Sequence, residues 1–333
     1  MIPKKLQTLQ LFFSNLCFRN IYKVIYKLSH SNQYKHNRRF WPYYQVERDT
    51  ENGLQKLFFK QKLVVDNTQA VCTKNKLCMM IATGPSVQRI PPEAFTRSDI
   101  DYIGLNGAIS MPNVAFKHYV IIDHNFVESR FDLVLKVLNS NCTFYTTPRC
   151  LDQILRKVLF QDIQCNIRVV EPITRGEIEP ILQPKKAVDM QKSYFYTNNQ
   201  LGFSTQIYTA IFDYFTVAYV ALQIIHSLRY QEIYLAGLDM NNFSQPRFYE
   251  SAENKQPTLL DRSLDFTLPA FDLAAQFFKA QGITVYNLSE HSAVEAFPKV
   301  NAKDLFKFPL YTTNFTEPLS YQDSAFLKLP KFP

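Results

Sequence analysis

The apolar positions fall into distinct regimes along the chain. Over residues 5–28, Leu9, Phe12, Phe13 and Leu16, then Ile21, Val24, Ile25 and Leu28, recur at steps of three and four. That spacing predicts an amphipathic helix, with Arg19, Lys23 and Lys27 repeating at four along one polar stripe. From residue 76 the pattern changes to short apolar runs that end in polar or turn-forming residues. Residues 77–82 lead into Thr83-Gly84-Pro85-Ser86, 102–105 into Asn106-Gly107, 119–122 into Asp123-His124-Asn125, and 232–236 into Gly237-Leu238-Asp239. Residues 141–145, 167–170 and 284–286 predict further strands. Residues 216–228 predict a long apolar helix, and 273–279 the end of another, closed by Gly282. Strands alternating with helices predict an α/β protein built on a doubly wound, mostly parallel, Rossmann-like sheet.

Two stretches lack a period. Residues 171–200 are polar and carry prolines, which suits an insertion or lid between two halves of the sheet. Residues 301–333 carry scattered Phe and Pro and read as a C-terminal tail. The expected organisation is a basic N-terminal membrane-surface segment over 1–70, an α/β domain over 71–300, and that tail.

Charge sharpens the division. The 333-residue chain carries a formal +8, and residues 1–70 alone hold 12 Lys and Arg against 4 Asp and Glu, so the rest is balanced. Lys35, Arg38 and Arg39 stand beside Phe40, Trp41, Tyr43 and Tyr44. Basic charge with interfacial aromatics suits an anionic membrane surface, and a solvated helix packed on the domain fits equally well. Nothing downstream supports nucleic acid as a partner. No window reaches the roughly 18 apolar residues of a membrane span, and the opening Met1-Ile2-Pro3-Lys4-Lys5 is not followed by a signal-peptide core or cleavage site. The six cysteines form no CxxC pair or Cys/His ladder, which predicts reduced thiols, no metal site and a cytoplasmic setting.

In an open parallel sheet, ligands bind beyond the carboxyl ends of the strands, so the polar strand ends are the candidate site. Thr83, Gly84, Pro85 and Ser86 form a turn in which Gly84 admits close approach, with the Ser86 hydroxyl and free amides placed to take a phosphate. Asn106 and Gly107 suit a ribose or base edge. Asp123 and His124 form a titratable pair suited to proton transfer, and Asp239 is an acid directly after a buried strand, beside Gly237. Just beyond it, Arg247 offers a two-pronged grip on a carboxylate or phosphate, with Tyr249 as a second donor. Asp261, Arg262 and Asp265 follow. Each also has a plain structural reading as turn, cap or surface loop. There is no GxGxxG and no GxxxxGK[ST], which disfavours a dinucleotide site or a P-loop.

These residues, in this order, resemble the lipopolysaccharide core biosynthesis Kdo-III transferases. The resemblance rests on Ala82 to Ser86, Leu105 to Ala108, Tyr119 to Asp123, Thr216 to Tyr230, Gly237-Leu238-Asp239, Pro246 to Glu250, and Tyr286 to Ser289. It spans roughly residues 77–300. The strand-end arrangement also looks like the wider sialyltransferase-like enzymes that use CMP-activated nonulosonic acids. The resemblance implies a bacterial glycosyltransferase that moves Kdo from CMP-Kdo to the lipid-linked core oligosaccharide, without a separate cofactor. It would act at the inner face of the inner membrane, serving outer-membrane biogenesis. Asp239, Asp123, His124 and Asp265 are then the candidate catalytic residues, with Arg247 and Tyr249 on the sugar carboxylate or phosphate. In the wider group a histidine before the last helix often serves as base. Residues 261–269 contain none, so Asp261 or Asp265 stands in, or the base lies elsewhere. The alternatives are transfer of sialic or another nonulosonic acid to lipooligosaccharide, a non-catalytic nucleotide-binding protein at the membrane surface, and an α/β methyltransferase.

Overall fold

The computed structural model describes residues 16–241, 243–256, 258 and 260–305. The predicted helix over 5–28 is present from its middle onward as α1 (Leu16–Ser29), and its start lies outside the described residues, as does the tail beyond 305.

A three-stranded antiparallel meander follows: β1 (Tyr44–Arg48), β2 (Leu54–Phe59) and β3 (Lys62–Asp66). The periodicity did not anticipate it. Leu54, Leu57, Val64 and Val65 are buried in the same core as the main sheet, so residues 44–66 are part of the body.

The apolar runs become the strands of one seven-stranded, wholly parallel sheet. These are β4 (Leu77–Ile81), β5 (Ile100–Leu105), β6 (Phe116–Ile121), β7 (Thr143–Thr146), β8 (Asn166–Val169), then β15 (Glu232–Ala236) and β16 (Thr284–Asn287), in the order β16-β15-β4-β5-β6-β7-β8. Sheets of this kind bury both faces, which is why the strands read as continuous apolar runs. One face packs against the meander and against α2 (His124–Ser129), α3 (Phe131–Leu138) and α4 (Pro148–Leu155). The other packs against α5 (Val217–Ser227) and α6 (Leu264–Ala280).

Residues 171–212 hold most of the remaining strands. β9 (Pro172–Thr174), β10 (Glu177–Ile178), β11 (Lys186–Ala187) and β14 (Ile211–Phe212) make a small mixed sheet, and β12 (Phe195–Asn198) with β13 (Leu201–Ser204) a hairpin. The stretch without a sequence period is therefore β-structured, with strands too short to show one.

The N-terminal segment is tied to distant parts of the chain. The Arg19 guanidinium donates to both carboxylate oxygens of Asp152 on α4, at 2.8 and 3.1 Å. The Arg48 guanidinium grips the buried Glu171 carboxylate at 2.8 and 2.7 Å. The Asn37 side chain donates to the Gln183 carbonyl and accepts from the Leu182 amide. Cys78, Cys142, Cys150 and Cys165 are buried free thiols and Cys72 is exposed. His226 packs edge-on to Phe277 with its Nδ1 buried and without a hydrogen-bond partner. No helix among the described residues is long and apolar enough to cross a membrane.

Candidate active site

The strand order reverses between β4 and β15. The chain leaves β4 toward β5 on one side and returns later to lay β15 on the other. In open α/β sheets the ligand crevice opens at the carboxyl ends of such a pair. Here the turn after β4 and the turn after β15 are joined directly: the Ser86 amide donates to Asp239 Oδ2 at 3.0 Å and the Ser86 hydroxyl donates to Asp239 Oδ1. Ser289, just past β16, shares the Ser86 hydroxyl at 2.7 Å. Gly84 makes this contact possible, because a Cβ there would stand 2.5 Å from Asp239 Oδ2 and 2.6 Å from the Gly237 carbonyl oxygen. Gly237 sits at φ +71, a left-handed turn that glycine adopts without strain.

This bonding changes what Ser86 and Asp239 can do. The expected phosphate cradle of free turn amides is not there: the Gly84 amide is spent on the Gly237 carbonyl and the Ser86 amide and hydroxyl on Asp239. Asp239 is buried and both of its carboxylate oxygens are engaged by Ser86, so it clamps the two strand ends together.

The loop carrying Pro246 to Glu250 closes over the same rim. The Phe248 amide donates to the Thr83 carbonyl at 3.3 Å. The Tyr249 ring lies against Gly107, where a Cβ would be 2.1 Å from the ring. Thus Thr83, Gly84, Ser86, Gly107, Asp239 and Tyr249 form one contiguous surface, and Arg247 is attached to it through its neighbours. Arg247 is not a free grip, however. Its Nη1 donates to Glu250 Oε1 at 2.8 Å and its amide to Glu250 Oε2 at 3.0 Å, on a carboxylate with no exposed side-chain surface. The Arg130 guanidinium, 5.1 Å from the Tyr249 ring centroid, was not anticipated; its Nη1 is buried without a partner. Burial pushes the Tyr249 hydroxyl up to about 12, so it is a proton-bearing donor at neutral pH.

Asn106 adopts φ +45 and its carbonyl accepts the Tyr119 hydroxyl at 2.7 Å, while its side-chain Oδ1 is buried with no partner. That orphan acceptor is oriented for a ligand donor or a water. Asp123 caps α2 by accepting the Asn125 amide at 2.8 Å. His124 Nδ1 lies 3.9 Å from Asp123 Oδ1, beyond hydrogen-bond reach. Burial first, then the charge of Arg149, lowers the His124 pKa below its usual 6.5, so it is neutral at pH 7.

Asp265 does not join this group. It lines a separate open cavity of about 350 Å³ with Asn198, Asn199, Phe266, Asp272 and Gln276, between α6 and the β12–β13 hairpin turn. Among the described residues, no group of three or more His, Cys, Asp or Glu is arranged to hold a metal ion.

One acid at the rim escaped the sequence reading. Asp213 follows β14 directly and precedes α5. Its Oδ1 is buried and without a partner, and burial raises its carboxyl to about 6. Its only sequence signal is an acid inside the aromatic run Phe212 to Phe215.

Residues 181–302 match a family model described as 3-deoxy-D-manno-octulosonic acid transferase WaaZ. That match contains Asp213, Asp239, Arg247 and Tyr249, and leaves the turns after β4, β5 and β6 outside it. A probable 3-deoxy-manno-octulosonic acid transferase of Salmonella typhimurium (strain LT2) is 24% identical over 248 residues, covering 68% of this chain and 88% of that protein. Its Escherichia coli (strain K12) counterpart is 25% identical over 241 residues, covering 68% and 83%. Among solved structures, the monofunctional alpha-2,3-sialyltransferase Cst-I from Campylobacter jejuni aligns with a TM-score of 0.41 at 14% identity, over 78% of this chain and 94% of that one. The sialyltransferase CST-II in complex with trisaccharide acceptor and CMP aligns at 0.35 and 16% identity, over 67% and 85%. By its family-model match and these curated relatives, the chain is similar to the Kdo-III transferases of lipopolysaccharide core biosynthesis.

Proposed function

We propose that this chain is a glycosyltransferase that moves Kdo from CMP-Kdo to the inner core of lipopolysaccharide. The observation that carries the reading is the crevice at the β4/β15 reversal, whose second wall falls inside the family match. A CMP-sugar presents one phosphate and one sugar carboxylate. Arg130 and the Tyr249 hydroxyl supply positive charge and a donor at the rim, and the unpartnered Asn106 Oδ1 offers an acceptor to the amino group of a cytosine or a ribose hydroxyl. Loss of CMP builds positive charge at the anomeric carbon, and donors aimed at the departing phosphate stabilise that step.

The acceptor is anchored in a membrane, and α1 is built to reach one. Its Ile21, Val24, Ile25 and Leu28 are 53%, 56%, 46% and 83% exposed, an apolar stripe facing solvent. Lys23 lies within the fields of Arg19, Arg156, Arg38 and Arg39. Apolar side chains ringed by cations suit the anionic cytoplasmic leaflet, so the reading includes peripheral docking there.

The test is incubation of the purified protein with CMP-Kdo or CMP-sialic acid and a core oligosaccharide acceptor. The expected result is acceptor-dependent CMP release from CMP-Kdo, with a product heavier by one Kdo. Turnover of CMP-sialic acid alone refutes the donor, and CMP binding without product from either refutes transfer.

A further inference from the structure

The rim needs a group to deprotonate the acceptor hydroxyl. Of the carboxylates first considered, Asp261 is exposed on the short 3-10 turn before α6 and the others are engaged elsewhere. Asp239 is filled by Ser86. Asp265 lines a different cavity. Asp123 caps α2. His124 feels Arg149 on α4 and Arg39, on the meander side of the sheet.

Asp213 differs in each respect. It ends β14 and stands four residues before α5, which returns the chain to the start of β15. A helix that does this begins at the carboxyl edge of a parallel sheet, so Asp213 belongs to the rim by topology. Its main chain is fixed on both sides. The Asp213 amide donates to the Ile173 carbonyl at 3.0 Å. The fully buried Gln223 takes the Phe212 amide at 3.0 Å and donates to the Phe212 carbonyl at 2.8 Å. After it, Phe215 is held at φ +62, a conformation that aromatic residues rarely adopt and that costs on the order of 1 kcal/mol. This bend brings the Phe215 and Thr216 amides to the carboxylate while its Oδ1 stays unpartnered. A rigidly held carboxylate with one buried, unpartnered oxygen is arranged to receive a proton.

We propose that Asp213 is the general base of the transfer. Its carboxylate takes the proton of the acceptor hydroxyl as that oxygen bonds to the anomeric carbon. The bond from that carbon to the phosphate oxygen breaks, and its electron pair leaves with CMP. The assignment rests on the glycosyl-transfer reading above. The charges around the carboxyl suit the role: burial first, and with it the nearby Asp123, lift it to about 6 against the two amides. The guanidinium of Arg175, from the β9–β10 turn, lies 5.8 Å from the Phe215 ring beside it. A base that titrates near the working pH combines availability with proton affinity.

The experiment measures turnover against pH for the wild type and for Asp213→Asn, Asp213→Glu, His124→Gln and Asp123→Asn, with CMP affinity by calorimetry. Asp213→Asn should bind CMP as the wild type does and lose about 10²–10⁴-fold in kcat. The wild-type rate should rise with pH through an acidic limb near 6. Asp213→Asn lacks that limb, His124→Gln keeps it, and Asp213→Glu keeps it at a lower rate. Asp123→Asn should move it to lower pH, because a like charge has been removed. Full activity in Asp213→Asn, loss of its CMP binding, or disappearance of the limb in His124→Gln instead overturns the assignment while leaving transfer intact. Absence of turnover in the wild type with any CMP-sugar overturns the functional reading and this assignment together.

Discussion

Replacing Gly84 by alanine isolates the contact on which the crevice is built. The backbone there, at φ −66 and ψ 150, suits alanine, so no dihedral strain enters. The cost is purely steric. The new Cβ falls 2.5 Å from Asp239 Oδ2, 2.6 Å from its Cγ and 2.6 Å from the Gly237 carbonyl oxygen. Those distances are roughly 1 Å inside ordinary contact, and one of the atoms is backbone with nowhere to go. Relief requires the β15 turn to move away from the β4 turn, which stretches both hydrogen bonds from Ser86 to Asp239. Overpacking costs about 1–3 kcal/mol, and weakening bonds to a charged acceptor adds about 1.5–3 kcal/mol. A net loss near 3 kcal/mol lowers the melting temperature by roughly 4 °C in a protein of this size. Thermal unfolding reads the stability, and calorimetric titration with CMP reads the crevice, which should weaken in parallel. Gly176→Ala is the control. Gly176 sits at φ +75 with nothing within 4 Å of a Cβ, so it should cost about 1–2 kcal/mol of backbone strain and leave CMP binding alone. Wild-type stability and CMP affinity in Gly84→Ala would refute the reasoning.

Three further outcomes follow from the same structure. Val24→Glu with Leu28→Glu places acid on the exposed stripe of α1 and should abolish sedimentation with anionic vesicles; unchanged sedimentation removes α1 as the docking element. Arg247→Ala strands the buried Glu250 carboxylate and should destabilise its loop by about 3–5 kcal/mol, seen as faster hydrogen exchange over residues 245–256. His118 is buried against the Tyr230 hydroxyl at 3.1 Å, and burial lowers its pKa to about 3. The unfolded chain, with a histidine near 6.5, therefore binds the extra proton between those values. Stability should fall by up to about 1.4 kcal/mol for each pH unit below 6.5. His118→Gln should flatten that slope in urea titrations between pH 4 and 6, and an unaltered slope counts against the buried neutral imidazole.

The sheet was legible because both of its faces are covered. Residues 77–82 and 233–236 are apolar without interruption, and the polar or turn residues that stop them mark the carboxyl edge. The meander was hidden because β2 exposes its residues irregularly, as Leu54 and Leu57 are buried three apart in a strand with a register shift. That spacing imitates a helix. Asp213 was hidden for another reason. β14 is two residues long, and the left-handed bend after it falls on Phe215, where composition rules look for Gly or Asn. Arg247 was seen without its partner, although Glu250 stands three residues ahead. An arginine beside an acid at that spacing is as well suited to bracing a loop as to holding a substrate.

The ties between the N-terminal segment and the middle of the chain set an order of events during synthesis. Asn37 finds its partners 145 and 146 residues later, and Arg48 finds Glu171 123 residues later. A ribosome therefore delivers α1 and the meander long before the surfaces that complete them. Their loop closures come late and slow the final assembly. Until then the apolar face of the meander, whose Leu54, Leu57 and Val65 share a core with Ile167, Val169 and Ile181, lacks part of its cover, so a fragment ending before residue 165 should aggregate on translation.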